Sequence, residues 1–179
     1  MTPADAPAQG IQARRDDALA GLVAAIPYAA WLGIGLDRRG DELTAIMRYD
    51  HRLIGNPALP ALHGGAIAAF LETTAIIELT WAGLWAQMET LPASGAAETR
   101  AEAGAKMDEG AAALPRLPKT IDFSVDFLRA GLARDAYARA SVVRQGRRYA
   151  SVHVEAWQDN RARPFAQATG HFLMPGPAR

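Results

Sequence analysis

The residues that point most directly to chemistry are a carboxylate inside an apolar stretch and two glycines just before that stretch. Glu72 lies within the apolar run from Ala66 to Trp85, and His63-Gly64-Gly65 precedes the run. If the run is a helix, its first backbone amides have no acceptor within the helix and lie at its positive end. Such amides can stabilise an oxygen that becomes negative. A carboxylate shielded from solvent can act as a nucleophile or as a general base, and the sequence leaves both roles open.

The residues near Glu72 and near the start of the expected helix have structural as well as functional explanations. His63 could take part in the chemistry or could cap the helix and position the glycines. Gly65 lets a substrate approach the backbone closely, because it has no side chain. Thr73 is either an ordinary helix residue or a group that orders water near Glu72. Glu78 lies about 120° around the helix from Glu72, so we expect it to be structural or exposed.

A basic segment, Arg144-Gln145-Gly146-Arg147-Arg148, separates two strand-like runs. Its simplest explanation is the solvated end of a hairpin. Arg147 and Arg148 could instead bind phosphate groups, because a guanidinium group matches phosphate oxygens with two parallel hydrogen bonds.

The composition excludes several classes of function. The 179 residues include 19 basic and 19 acidic side chains, so the chain lacks the positive charge of a nucleic-acid binder. It has no Cys, and its four His show no ligand-like spacing, so we expect no metal site. The run at 66–85 is long enough to span a bilayer, but its two glutamates favour a helix buried in protein. We find no targeting segment and expect a cytoplasmic protein.

The order of the elements predicts one α+β domain. Residues 1–12 are rich in Pro and Ala and are expected to be disordered, which leaves a single domain over 13–179. A short helix ends before Pro27, and alternating apolar residues then predict a hairpin over about 32–49. A long apolar helix follows, from the glycines at 64–65 to about residue 88.

The second half of the chain begins with a segment of different composition. Residues 89–118 contain mainly Ala, Gly, Glu and Pro, which predicts a mobile insertion. Four strand-like runs follow as an antiparallel meander, at 120–129, 136–144, 149–159 and 162–174. A helix that is apolar on nearly every face must be surrounded, so we expect a curved antiparallel sheet wrapped around it.

Several motifs, in their order and spacing, resemble one family. They are Leu32-Gly33-Ile34, Gly55-Asn56-Pro57 ahead of His63-Gly64-Gly65, Glu72 nine residues after His63, and Asp126-Phe127-Leu128-Arg129. Over about residues 27–174, apart from the insertion, the chain is similar to the hotdog-fold acyl-CoA thioesterases of the phenylacetate-pathway (PaaI-like) type. The resemblance implies a hotdog fold and hydrolysis of an acyl-CoA thioester, with no cofactor beyond the coenzyme A of the substrate.

The resemblance also implies roles for individual residues. Gly64 would hold the thioester oxygen through its amide, Glu72 would be nucleophile or base, and Asn56 would supply a polar amide from the loop before His63. Arg129, in the last of the motifs, would contact the substrate.

Helix geometry adds a constraint on how Gly64 and Glu72 could work together. Eight residues of helix separate them by about 12 Å, so one thioester carbon cannot touch both within a chain. A homodimer with shared sites, or a tetramer built from it, is therefore expected. Neither nucleic acid nor membrane is expected as a partner.

Two other functions stay open on the sequence. Gly55-Asn56-Pro57 suggests a hotdog 3-hydroxyacyl dehydratase, but those enzymes carry a His three residues before this motif, where this chain has Arg52. A hotdog domain that only binds acyl groups is the other alternative, and the carboxylate at Glu72 argues against it.

Overall fold

The structure, a computed structural model, describes residues 5–90 and 116–176. Its helices are α1 (Asp5–Ala24), α2 (Pro27–Trp31) and α3 (Gly64–Thr90). Its strands are β1 (Ile34–Arg39), β2 (Glu42–Met47), β3 (Ile54–Asn56), β4 (Ala61–Leu62), β5 (Lys119–Phe127), β6 (Ala136–Gln145), β7 (Tyr149–Trp157) and β8 (Ala166–Leu173). The β1–β2 hairpin, the long helix and the four later strands confirm the predicted elements, with boundaries that differ by a few residues.

A six-stranded antiparallel sheet has the order β1-β2-β6-β7-β8-β5, and β3 and β4 form a separate two-stranded ribbon. The expected meander therefore holds for β6, β7 and β8 only, because β5 pairs with β8 at the far edge of the sheet. The segment after β5 explains this placement. The Leu128 N–H donates to the Phe165 carbonyl near its start, and near its end Asp135 accepts from Tyr49 N–H and from the Arg48 guanidinium. These bonds carry the chain across to β6, beside β2. The hydrogen bonds from Tyr49 and Arg48 also lower the pKa of Asp135.

The long helix α3 lies against the inner face of this sheet. Phe70, Leu71 and Leu79 on the helix are fully buried, and so are the inward residues of β7 and β8, such as Val154 and Phe172. Burying each large apolar side chain contributes roughly 1.5–3 kcal/mol, so this contact supplies much of the stability. Residues Gly64–Leu84 of α3 are long and apolar enough to cross a membrane, but more than half of the most apolar stretch is buried inside the protein, which is typical of a core helix.

One segment differs from the composition-based expectations, and another lies mostly outside the described residues. Residues 5–12, assigned above to a disordered segment, form the first half of α1 instead. The later part of α1 is anchored to the rest of the protein, because Asp16 accepts a hydrogen bond from Arg38 of β1 at 2.8 Å and Leu19 and Leu22 are buried. Residues 5–12 extend this anchored helix. The expected insertion at 89–118 lies mostly outside the described residues, although α3 extends through Thr90 and the chain is described again from Arg116.

Candidate active site

The start of α3 is held by the β3–β4 ribbon. The His63 N–H donates to the Leu53 carbonyl at 2.8 Å, which joins the residue before α3 to the residue before β3. Gly55 lies against this residue so closely that a Cβ atom there would be 2.8 Å from the His63 Cα atom. A side chain at position 55 would therefore displace the helix start.

The His63 side chain caps α3. Its Nδ1 atom accepts a hydrogen bond of 2.9 Å from the Gly65 N–H, which places the ring proton on Nε2. A Cβ atom at position 65 would lie 2.9 Å from the same Nδ1, so the cap requires glycine there. The geometry supports the positioning role for His63. The cap also occupies the Gly65 amide, so Gly65 would contribute to a substrate site by its small size and not by this amide.

The Gly64 amide remains without an acceptor among residues 5–90 and 116–176. It is the first residue of α3, where the helix dipole is positive. The Phe127 ring lies beside it, with Cζ 3.4 Å from the position of an added Cβ atom. A free amide at the positive end of a helix, next to an aromatic wall, can bind an oxygen that carries negative charge.

Glu72 lies two turns further along α3, and its carboxylate is half-buried. Its Oε1 atom accepts a hydrogen bond of 2.6 Å from the Thr120 hydroxyl at the start of β5. This bond orients the carboxylate and leaves Oε2 free to accept a proton from water or to attack a substrate. No sequence motif marks Thr120, which is a threonine at the start of a strand that follows the expected insertion.

One chain carries Gly64 and Glu72 at two levels of the same helix. β5 runs beside α3 in the opposite direction, so that Phe127 lies at the level of Gly64 and Thr120 at the level of Glu72. Eight helical steps separate the two residues by about 12 Å. The structure therefore does not bring them to one substrate atom within a chain.

The other predicted residues are spread over the molecule. Asn56 is exposed, and its Oδ1 atom accepts from the Ala58 N–H in a local turn. Thr73 is buried on the face next to that of Glu72. Arg129 donates from Nε and Nη2 to the Pro164 carbonyl, at the Gly64 end of β5.

Arg147 and Arg148 lie on the exposed β6–β7 hairpin at the other end of the sheet, where Thr120 and Glu72 are. Pairing of Lys119 with Leu173, and of Leu173 with Tyr149, aligns the start of β5 with this hairpin. Five exposed cations occupy this end: Arg116, Lys119, Arg144, Arg147 and Arg148. None of the five forms an ion pair within the described part of the chain, although most arginines elsewhere do.

Glu78 is half-buried and makes no hydrogen bond with any described residue. Burial raises its pKa from 4.5 to about 7. It contacts neither Thr120 nor Gly64, so it stands apart from the two groups above. Over the described ranges, no group of three or more His, Asp or Glu side chains could hold a metal ion.

Comparison with known proteins identifies the family. Residues 95–173 match the family described as acyl-CoA thioesterase N-terminal domain. The chain is 31% identical over 150 residues to the medium/long-chain acyl-CoA thioesterase YigI of Escherichia coli K12, which covers 83% of this chain and 86% of the relative.

Solved structures show the same fold. A protein from Chromobacterium violaceum is 30% identical, with a TM-score of 0.59 over 95% of this chain and 99% of that one. A Shewanella oneidensis protein related to the thioesterase superfamily is 23% identical, with a TM-score of 0.63 over 92% of this chain and 98% of that one. By its identity to these relatives and by its six-stranded antiparallel sheet packed against α3, the chain belongs to the hotdog-fold acyl-CoA thioesterases and hydrolyses acyl-CoA thioesters.

Proposed function

We propose that hydrolysis takes place in two equivalent sites of a homodimer, each built from Gly64 of one subunit and Glu72 of the other. The observation that carries this proposal is the distance between the two groups along α3, about 12 Å. Each group is poised for one half of the reaction. The Gly64 amide is free, and the Glu72 carboxylate is oriented by Thr120.

The edge of the sheet supports the arrangement. β5 is an edge strand, and no described strand lies on its outer side. Ile121, Phe127 and Leu128 on and after this strand are exposed. An unpaired apolar edge favours pairing with another strand. If two copies of β5 pair antiparallel about a two-fold axis, Phe127 of one subunit meets the Thr120 end of the other.

In the proposed reaction, the Gly64 amide stabilises the thioester oxygen as it becomes negative. Glu72 of the other subunit either takes a proton from the attacking water or attacks the carbonyl carbon itself. In the base route, the water oxygen forms the C–O bond as the C–S bond breaks, and the proton that Glu72 takes passes to the leaving sulfur. In the nucleophile route, Glu72 displaces the thiolate to form an anhydride with the acyl group. Water then hydrolyses this anhydride, which frees the acid, restores Glu72 and supplies the proton with which coenzyme A leaves as its thiol. This chemistry uses no group besides protein, substrate and water, so we propose an enzyme without a cofactor or metal.

The same dimer would assemble the binding site for coenzyme A. Arg129 lies at the Gly64 end of its own subunit, where the paired β5 strands would also bring the partner's basic hairpin. We propose that Arg129, Arg147 and Arg148 meet the phosphates, and that Gly65, Thr73, His63 and Asn56 hold the geometry around Gly64 and Glu72. By analogy with the Escherichia coli relative, we propose that the acyl group is of medium or long chain.

A panel of short, long and aromatic acyl-CoAs, assayed for release of free thiol, tests the assignment. Glu72→Gln keeps the size of the side chain and removes its basicity, so hydrolysis should fall by about 10² or more. Glu78→Gln, the same change on the same helix, is the matched control and should keep the parental rate. If folded Glu72→Gln hydrolyses its best substrate as fast as the parent, Glu72 is a structural residue.

A further inference from the structure

Two aromatic side chains of α2 are stacked on each other and face solvent. The rings of Tyr28 and Trp31 lie 5.6 Å apart between centroids and 9° from parallel. Each residue is 51% exposed, although large aromatic residues are highly buried on average. The Arg52 guanidinium lies 5.1 Å from the centre of the Trp31 ring.

The stack is held rigidly. On the same short helix Ala29 is fully buried, and the next residue, Leu32, is 1% exposed, so the core anchors the backbone beneath the rings. Arg52 donates a hydrogen bond of 2.6 Å to the Trp31 carbonyl, which fixes the cation beside the rings. An aromatic surface that is ordered before a ligand arrives loses little entropy on binding.

The stack is also connected to the start of α3. Arg52 is followed by Leu53, whose carbonyl accepts the hydrogen bond from the His63 N–H. His63 in turn caps the helix whose first amide belongs to Gly64. Arg52, Leu53 and His63 therefore connect the rings to the helix start that presents the proposed oxyanion donor.

The charges near the stack favour a ring over a phosphate as its ligand. Asp50 lies 3.5 Å from the Arg52 Nε atom and partly neutralises the guanidinium. The five unpaired cations described above lie at the other end of the sheet. The stack is a flat aromatic surface with a cation at its side. Such surfaces bind planar rings by stacking.

We propose that Tyr28, Trp31 and Arg52 bind a planar aromatic ring of the thioester substrate. The inference goes beyond the established hydrolysis, which assigns no role to α2. Every acyl-CoA contains one such ring, the adenine base, and an aromatic acyl group would supply another. Stacking on Trp31 is the shared chemistry of the two sources.

Kinetics with four substrates separates the sources: octanoyl-CoA, phenylacetyl-CoA, and the pantetheine thioesters of the same two acids. Trp31→Leu keeps an apolar side chain and removes the stacking surface. A stacked base is worth about 1–3 kcal/mol, so KM should rise roughly 5-fold to 100-fold for substrates whose ring binds there. The kcat should stay close to the parental value, because this contact is remote from the reacting carbon. Trp31→Phe should restore most of the affinity.

The chain contains a matched control. Trp157 stacks with Tyr137 at 6.3 Å and has Arg161 5.6 Å from its ring, but it lies on the outer face of β7, away from α3. Trp157→Leu should leave all four KM values unchanged. Circular dichroism and light scattering on each variant should show the parental fold and assembly.

The pattern of KM changes in Trp31→Leu across the four substrates decides the outcome. Weaker binding of both CoA esters, with parental binding of both pantetheine esters, identifies the adenine base as the ligand. Weaker binding of both phenylacetyl esters alone identifies the acyl ring. Unchanged KM values for all four substrates overturn the proposal. An equal rise in KM for all four substrates also overturns the proposal and shows that the stack is structural. Dissociation of the assembly overturns it as well and shows that the stack is an interface between copies of the chain.

Discussion

The proposed catalytic carboxylate has a hydrogen-bond partner that lies 48 residues further along the chain. The Thr120 hydroxyl donates to one oxygen of Glu72, so the other oxygen is available for chemistry. Without this bond, the carboxylate could rotate among several rotamers, and productive orientations would be less populated.

We therefore expect Thr120→Val to lower kcat about 10-fold or more, since hydrogen bonds to charged groups contribute about 1.5–3 kcal/mol. Thr120→Ser should restore most of the rate, because serine keeps the hydroxyl. Thr80→Val is the control, since the Thr80 hydroxyl donates to the Ile76 carbonyl within α3. A folded Thr120→Val enzyme with parental kcat would show that the hydrogen bond does not contribute to catalysis.

Glu78 should make stability depend on pH. Its pKa is about 7 in the folded protein and 4.5 in the reference state. Between these values the folded chain keeps a proton that the unfolded chain releases, so the free energy of unfolding falls as the pH rises from about 4.5 to 7. The loss is complete above pH 7 and is on the order of 3 kcal/mol.

Glu78→Gln removes this loss. At pH 8 the free energy of unfolding of the variant should therefore exceed that of the parent, by on the order of 3 kcal/mol. At pH 4 the two proteins should have nearly equal stability. Denaturant unfolding at both pH values, at one protein concentration, measures the difference. An equal difference at pH 4 and pH 8 would mean that titration of Glu78 is not its cause.

At the scale of elements, the β6–β7 hairpin and the start of β5 form one basic end of the sheet. This placement depends on β5 pairing with β8, which aligns Lys119 with the hairpin. A binding site for the phosphates of coenzyme A would use positive charge that no acidic side chain of residues 5–90 or 116–176 neutralises.

Arg147→Ala should therefore raise KM for an acyl-CoA while leaving kcat nearly unchanged, because remote contacts contribute to ground-state and transition-state binding alike. The pantetheine thioester of the same acid, which lacks the nucleotide, should be hydrolysed as before. Arg39→Ala is the control, since Arg39 is an exposed arginine at the end of the β1–β2 hairpin and pairs with Asp37. An equal loss on both substrates would show that Arg147 does not bind the nucleotide.

At the scale of the whole molecule, the shared site predicts that two inactive variants complement each other. Glu72→Gln lacks the carboxylate, and Gly64→Pro lacks the amide proton. Proline is tolerated in the first turn of a helix. The Gly64 N–H donates to no described residue, so the substitution breaks no hydrogen bond there. Gly64→Ala, which keeps the amide, should be folded and active and so controls for the added Cβ atom beside Phe127.

When the two variants are refolded together in equal amounts, half of the dimers should be mixed. Each mixed dimer has one intact site of two, so about a quarter of the parental activity should return. Differential tagging and purification of the mixed dimer verify its formation. Mixed dimers that stay inactive, although folded, would contradict the shared site.

Local pattern was sufficient to predict several parts of the fold. The unbroken apolar run predicts α3, because a helix that is apolar on all sides must lie in a core. Alternation predicts the strands, because neighbouring side chains of a strand point to opposite faces. The spacing of His63, Gly64 and Glu72 predicted that two candidate groups lie at different levels of one helix, and the structure confirms this placement.

Other features depend on contacts between residues that are distant in the chain. The hydrogen-bond partners of Glu72 and Arg38 and the pairing of β5 with β8 depend on tertiary contacts, which no local pattern encodes. The same holds for the raised pKa of Glu78, since it depends on how many neighbouring groups exclude water. The sequence by itself determined which residues could do chemistry and which elements would carry them. Tertiary structure decided which of these residues meet, because a hydrogen bond or a buried charge depends on distances between elements that only the packed fold defines.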